Sequence, residues 1–321
     1  MRITSITRQS GLLATSLLLL TVVAEHLRMM SATPHAMEVA GSVSSPSWGK
    51  SAATTIILVI TGILVGRTAT KSGIFRNFCT LPIPIFGVAA CGMFVSPDMF
   101  ATSAAAMCAA GGMSLFIRTL SRPNDKSPVF FGAMLFGITV PLYPPCIVFA
   151  ALLPFMALVS FQSWRKIVIA AVGYLLPFAA ASYIGWYAGG GILDGAYSIA
   201  EWFVPFGYTP VHSPVREGFP IMAAAMAAIL LSLAVAEIIL RRIDKGTTLV
   251  KADKSAQIVS AVMVLAVAAF AVPRCTVAIM PVIAVPTAIL AGAALDRIKT
   301  ETSTVIYWIL LSLTAIHLFF I

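Results

Sequence analysis

The stretch Cys275–Ala294 reads CTVAIMPVIAVPTAILAGAA and contains twenty residues without a charged side chain. A helix of about 20 apolar residues is long enough to cross the hydrocarbon core of a bilayer. Arg274 precedes the stretch and Asp296-Arg297 follows it, so the charged side chains lie only at its two ends. This pattern predicts a transmembrane helix.

The composition of the whole chain has the same character. Of its 321 residues, 59% are hydrophobic and 10% are charged, whereas a typical soluble domain has about 45–50% apolar and about 25% charged residues. So few charges cannot cover a water-exposed surface, which excludes a soluble globular enzyme. The net charge of +9 is spread over short segments between apolar runs, so we expect no nucleic-acid partner.

Similar apolar runs recur along the sequence and predict an all-α, polytopic transmembrane bundle of about 11 spans, within a range of about 10–12. They form a single integral-membrane domain over residues 1–321, because no connecting segment is long enough for a soluble domain. Only Pro144–Pro145 separates two of the runs, so residues 128–162 form either two spans or one broken helix. The predicted spans are 9–29, 51–66, 77–96, 99–117, 128–143, 145–162, 167–188, 218–240, 256–273, 275–294 and 303–321.

Positive charge is distributed unevenly between the two sides that these spans define. With a cytoplasmic N-terminus, only Arg28, Lys50, Arg216 and Arg274 of the 21 lysines and arginines fall in outer segments. Cytoplasmic segments of membrane proteins carry such an excess of Lys and Arg. We therefore expect a multi-pass protein of the bacterial inner membrane, surrounded by the lipid bilayer, with a periplasmic C-terminus. Residues 9–29 are either an uncleaved first helix, which the lack of a small-residue cleavage site favours, or a signal peptide.

Candidate catalytic carboxylates lie on the predicted outer face. Glu25 is at the end of the first span and either acts as a base or pairs with Arg28 three residues later. Asp194 and Glu201 share one face of a predicted interfacial helix near 192–206, whose other faces carry apolar and aromatic side chains. These two acids are either aimed at a substrate cavity or belong to a solvated polar stripe.

Three arginines are candidate phosphate ligands on the same side, because a guanidinium fork matches phosphate oxygens. They are Arg28, Arg216 and Arg274, and their alternative role is contact with lipid headgroups or outer acids. The sequence contains no nucleotide-binding or metal-binding motif, so we expect no cofactor and no metal site. Inside an apolar run, Glu237 lies four residues before Arg241, and we expect the two side chains to pair near the inner boundary.

Residues 130–190 contain a familiar series of motifs. Phe131-Gly132 is followed by Leu142-Tyr143-Pro144-Pro145, by Ser163-Trp164-Arg165, and by Gly173-Tyr-Leu-Leu-Pro177-Phe178. In this order they resemble an uncharacterised family of polytopic inner-membrane proteins of Bacteroidota, whose members have a similar length. The resemblance implies a multi-pass membrane fold and carries no established activity.

The scarcity of charged residues favours a non-enzymatic component of cell-envelope biogenesis that binds other envelope membrane proteins. One alternative is an enzyme that resembles the glycosyltransferases using polyprenyl-phosphate donors, acting on a lipid-linked glycan at the periplasmic face. Glu25 or Asp194 would then be the base, and Arg28, Arg216 or Arg274 would bind the phosphate of the lipid-linked substrate. The other alternative is a transporter of a small solute or a lipid. From the sequence, enzyme, transporter and scaffold all stay open.

Overall fold

The computed structural model describes residues 11–31, 48–75, 80–91, 99–122, 124–159, 163–204, 220–243, 250–273, 275 and 277–320. Within these ranges the chain consists of helices and turns without a strand, which confirms the all-α prediction. Short 3₁₀ segments cover Pro144–Ala151, Glu201–Phe203, Ala269–Ala271 and Val277–Ile279. The α-helices are α1 (Gly11–Ser31), α2 (Trp48–Ser72), α3 (Pro82–Cys91), α4 (Met99–Ser121), α5 (Ser127–Leu142), α6 (Leu152–Val159), α7 (Trp164–Tyr187), α8 (Asp194–Ala200), α9 (Pro220–Ile243), α10 (Val250–Ala268), α11 (Met280–Arg297) and α12 (Thr300–Phe320).

Five helical segments of this part of the chain are long and apolar enough to cross a membrane. They are Gly49–Ser72, Met99–Ser121, Trp164–Tyr187, Val250–Ala271 and Met280–Arg297. Each overlaps a span predicted from the sequence, so the structure supports the membrane-protein class. This support comes from the length and the apolar composition of the helices.

Helix α2 is longer than the sequence suggested. The predicted span 51–66 ends where polar residues begin, whereas the helix continues to Ser72 and has 25 residues. Thr68 and Ser72 each donate a hydrogen bond to a carbonyl of the preceding turn, at 2.8 Å and 2.6 Å. Because these hydroxyls are satisfied within the helix, the polar end stays helical and the helix continues six residues beyond the predicted span.

Helix α11 forms the centre of the bundle. All residues from Pro281 to Leu295 are buried, and the helix contacts α2, α3, α4, α9, α10 and α12. A helix that is apolar on every side is stable only when neighbours surround it completely. The segment Cys275–Ala294, which defined the fold class in the sequence, therefore supplies most of the central helix.

Two glycines allow α5 and α7 to pack closely side by side. A Cβ at Gly173 would lie 2.5 Å from the carbonyl oxygen of Phe130, and a Cβ at Gly137 would collide with the carbonyl of Tyr174. Small residues permit such close backbone approach between membrane helices. The order of these contacts, with Phe130 beside Gly173 and Gly137 beside Pro177, shows that α5 and α7 run in the same direction.

The chain must therefore reverse twice between these parallel helices. Tyr143 lies beside Cys275, after the end of α10, and both the 3₁₀ segment and the α-helix that follow Tyr143 pack along α10. The segment 144–159 thus runs antiparallel to α10 and back past α5. Its eight 3₁₀ residues and eight α-helical residues give a rise of about 28 Å, because a 3₁₀ helix rises about 2.0 Å per residue. The structure favours two antiparallel segments over one broken helix.

Candidate functional site

The C-terminal end of α7 is closed by a turn that requires glycine. Gly190 N–H donates to the carbonyl of Gly185 and Gly189 N–H donates to that of Trp186, both at 3.0 Å. This hydrogen-bond pair is the Schellman motif, in which the residue after the helix adopts a left-handed conformation. Gly189 has a φ of +93° and occupies that position. The turn redirects the chain from α7 into the short helix α8.

Asp194 has a local structural partner at the start of α8. The backbone N–H of Gly191 donates to its Oδ2 at 2.6 Å, as an acid in the first turn of a helix does when it reaches back to the preceding residues. Glu201 follows in the 3₁₀ segment after α8, and both acids are exposed. The predicted helix near 192–206 is thus present over residues 194–203, and it carries both acids.

An aromatic contact holds the segment after α8 on the bundle. The rings of Trp202 and Tyr143 meet edge to face with their centroids 5.5 Å apart. The Tyr143 hydroxyl lies 3.6 Å from Cys275 Sγ, within hydrogen-bonding range for sulfur. Three segments that are distant in sequence therefore meet at Tyr143.

The other predicted site residues lie outside what the structure describes. Glu25 and Arg28 belong to the backbone of α1 near its end, but their side chains are not among the described ones. Arg216 and Arg274 are outside the described ranges altogether. The roles predicted for these four residues therefore stay predictions.

At the opposite end of the bundle the structure contains a buried charge cluster. Arg241 Nε lies 2.6 Å from Glu237 Oε1, which confirms the predicted pair. Arg297 Nε, at the end of α11, lies 3.0 Å from Glu237 Oε2. Arg241 also donates through Nη2 to the carbonyl of Ile74 at 2.7 Å. Glu237 is completely buried and Arg241 is 4% exposed, so the pair lies inside the bundle rather than at a solvated boundary.

The cluster joins three parts of the fold. Glu237 and Arg241 are one turn apart on α9, Arg297 ends α11, and Ile74 lies in the turn after α2. A buried charge is tolerated only when it is paired and hydrogen-bonded, and removing one partner of such a pair costs about 3–5 kcal/mol. The sequence revealed the pair through its i,i+4 spacing but missed Arg297 and Ile74, because no local pattern links these residues to α9.

A cavity of about 600 Å³ adjoins this cluster between α6, α9 and α10. The end at Asp253 is polar and also contains Arg241 and Arg242, whereas the end at Val264 and Leu265 is apolar. The sequence did not predict this cavity, since its walls come from four separate segments, including Leu290 of α11.

One wall of the cavity is a single face of α10. Asp253, Gln257, Ser260 and Val264 follow one another at helical spacing and all line the cavity. Gln257 Nε2 donates to Asp253 Oδ2 at 2.9 Å. In the part of the chain that the structure describes, no three His, Cys, Asp or Glu side chains form a group that could hold a metal ion.

The fold and this geometry define an all-helical bundle with apolar helices of membrane-spanning length, a buried ion cluster and an amphipathic cavity beside it. No protein-family model, no curated protein and no solved structure matches the chain. The chemistry of the site therefore has to be interpreted from its own residues.

Proposed function

We propose that this chain is a multi-pass protein of the bacterial inner membrane that acts as a non-enzymatic component of cell-envelope biogenesis. The observation that carries the proposal is that two of the described carboxylates have structural roles. Glu237 neutralises two arginines inside the bundle, and Asp194 binds the backbone of Gly191. Both groups have structural partners, which leaves neither of them poised as a general base.

The proposal includes about 11 spans, with the N-terminus in the cytoplasm and the C-terminus in the periplasm. The end of α9, the end of α11 and the turn after α2 meet in the charge cluster, and these are segments that the charge distribution assigns to the cytoplasmic side. Cytoplasmic segments are expected to hold most of the lysines and arginines. The cluster and its cavity would then lie at the level of the cytoplasmic leaflet.

The proposal also includes membership of the uncharacterised Bacteroidota family. Its support is the sequence of motifs in residues 130–190, of which Gly173 has a packing role against Phe130 and Tyr143 anchors Trp202. Motifs that serve helix packing and turns suit a structural protein.

The test is whether the protein has a stoichiometric partner in its own membrane. Of the five long apolar helices, α7 is the least buried. In its most apolar stretch 22% of the residues are buried in the bundle, against 44–83% for the other four helices. A photo-crosslinking residue at Ile184, which is 66% exposed on α7, reports neighbours efficiently. The matched control is the same residue at Ala288 in α11, which is fully buried.

We expect Ile184 crosslinks to one envelope protein that also co-purifies at a fixed ratio in mild detergent, and no such product from position 288. A chain that runs as a monomer in mild detergent and yields no protein crosslink from Ile184 would contradict the proposed role.

A further inference from the structure

We propose that the cavity between α6, α9 and α10 is a binding site for an anionic phospholipid, with the phosphate near Arg242 and an acyl chain along Val264. This inference goes beyond the proposed function, because a lipid can bind here whether or not the protein has a partner. It assigns a ligand to the cavity from the chemistry of its two ends.

The polar end of the cavity has one cation that its neighbours leave available. The guanidinium of Arg241 is already bound to Glu237 and to the carbonyl of Ile74. Asp253 accepts a hydrogen bond from Gln257. Arg242 is exposed at the rim and has no ion-pair partner among the side chains that the structure describes. A phosphate oxygen is the group that a guanidinium fork binds best.

The charges around this end favour an anion. Among the side chains that line the cavity, Arg241 and Arg242 carry two positive charges, against the one negative charge of Asp253. Because Glu237 is fully buried, it cannot bind an additional cation from outside. One excess positive charge next to a partly apolar cavity attracts a single phosphate group.

The rest of the cavity has the shape and chemistry for a hydrocarbon chain. From Asp253 to Val264, α10 extends for about 16 Å, since an α-helix rises 1.5 Å per residue. The lining changes along this length from Asp253 and Gln257 to Val264 and Leu265. Val264 is 58% exposed, so the apolar part opens sideways toward the surroundings of the bundle. A soluble anion would leave this apolar part unoccupied, whereas a lipid from the neighbouring leaflet fills both ends.

The experiment measures lipid binding to the purified full-length chain in detergent, by native mass spectrometry with increasing lipid. The probes are dioleoyl phosphatidylglycerol, dioleoyl phosphatidylcholine, a polyprenyl phosphate and inorganic phosphate. The test variants are Arg242→Gln at the polar end and Val264→Trp at the apolar end. Their matched controls are Arg165→Gln and Val172→Trp, which change equally exposed residues of α7 away from the cavity.

We expect one saturable phosphatidylglycerol site that Arg242→Gln weakens by about tenfold or more, the loss that follows from removing one charge-assisted hydrogen bond. Val264→Trp should weaken it similarly, and both controls should bind as the unaltered protein does. Equal affinity for phosphatidylcholine would contradict the preference for an anionic headgroup. If inorganic phosphate bound as well as phosphatidylglycerol, the ligand would not be a lipid. If a polyprenyl phosphate bound about tenfold tighter than phosphatidylglycerol, the ligand would be a lipid-linked precursor and the proposed phospholipid would be wrong. Cavity variants that bind like their controls would overturn the site itself.

Both cavity substitutions change exposed side chains, so the folding of the variants can be checked independently. Variants that are monodisperse and melt like their controls in the absence of added lipid report binding alone. A variant that fails this check is replaced by Arg242→Lys or Val264→Phe, for which smaller reductions in affinity are expected.

Discussion

The substitution Glu237→Gln tests the buried charge cluster most sharply. It preserves the size of the side chain and removes its charge, which leaves Arg241 and Arg297 facing a neutral amide. The carboxylate accepts a hydrogen bond from Arg241 Nε at 2.6 Å and forms an ion pair with Arg297 Nε at 3.0 Å. The hydrogen bond to a charged group contributes about 1.5–3 kcal/mol, and the ion pair with the second arginine adds to the loss. Breaking a buried ion pair costs about 3–5 kcal/mol by mutagenesis, and we therefore expect a loss of about 3–5 kcal/mol.

The assay is reversible unfolding of the purified protein in mixed micelles with an increasing fraction of denaturing detergent, followed by circular dichroism. Glu301→Gln is the matched control, since Glu301 is exposed in the first turn of α12 and should change stability by no more than about 1 kcal/mol. A double-mutant cycle with Arg297→Gln isolates the contact between α9 and α11 and should give a coupling of about 1–3 kcal/mol. If Glu237→Gln unfolds like Glu301→Gln, or the coupling is close to zero, the cluster does not hold α9 and α11 together.

Three further predictions concern other parts of the fold. Gly173→Ala should destabilise the protein by about 1–3 kcal/mol through overpacking against Phe130, while Gly185→Ala on the same helix, where an added Cβ meets no atom within 4 Å, should be neutral or stabilising in the same unfolding assay. Asp194→Asn keeps an acceptor for Gly191 N–H and should leave the hydrogen exchange of residues 189–200 unchanged, whereas Asp194→Ala should accelerate it, and equal acceleration by both would refute the capping role. The backbone N–H and the hydroxyl of Ser127 donate to Asp125 and hold the pKa of this exposed carboxyl below its ordinary value of 3.8. The ionised carboxylate therefore stabilises the folded protein above pH 3.8, and this contribution is lost as the pH falls through the lower pKa of the folded state. The melting temperature should be measured between about pH 5 and pH 3, where aspartate carboxyls titrate. It should fall less steeply with pH for Asp125→Asn than for the unaltered protein. Identical slopes would contradict the stabilising role of the Asp125 carboxylate.

The helical class and most helix positions could be predicted from the sequence, because apolar runs of membrane-spanning length are a strong local signal. The polar end of α2 could not, since Thr68 and Ser72 look like loop residues until their bonds to helix carbonyls are known. The path of residues 144–159 was also open. Only the contacts of Gly173 and Tyr143 with distant residues show that this segment reverses direction.

The candidate sites were predicted less well than the fold. Glu237–Arg241 follows from spacing on one helix, but Arg297 joins the pair through the packing of α11 against α9, and the carbonyl of Ile74 has no signature in a sequence. The cavity could not be predicted either, because lining residues such as Phe155 and Asp253 are distant in the sequence. Asp194 was correctly placed on a short helix near Glu201, yet its hydrogen bond to Gly191 depends on the turn at Gly189.

The central claim is that the function of this chain does not depend on catalysis by Glu25, Asp194 or Glu201. The most direct measurement is the profile of envelope glycans in the source organism when the chromosomal copy carries Glu25→Gln, Asp194→Asn and Glu201→Gln together. A non-enzymatic role predicts a profile identical to that of the unaltered strain at equal protein level. A profile in which a glycan is lost or truncated while the variant protein remains in the membrane would contradict the account and favour a glycosyltransferase.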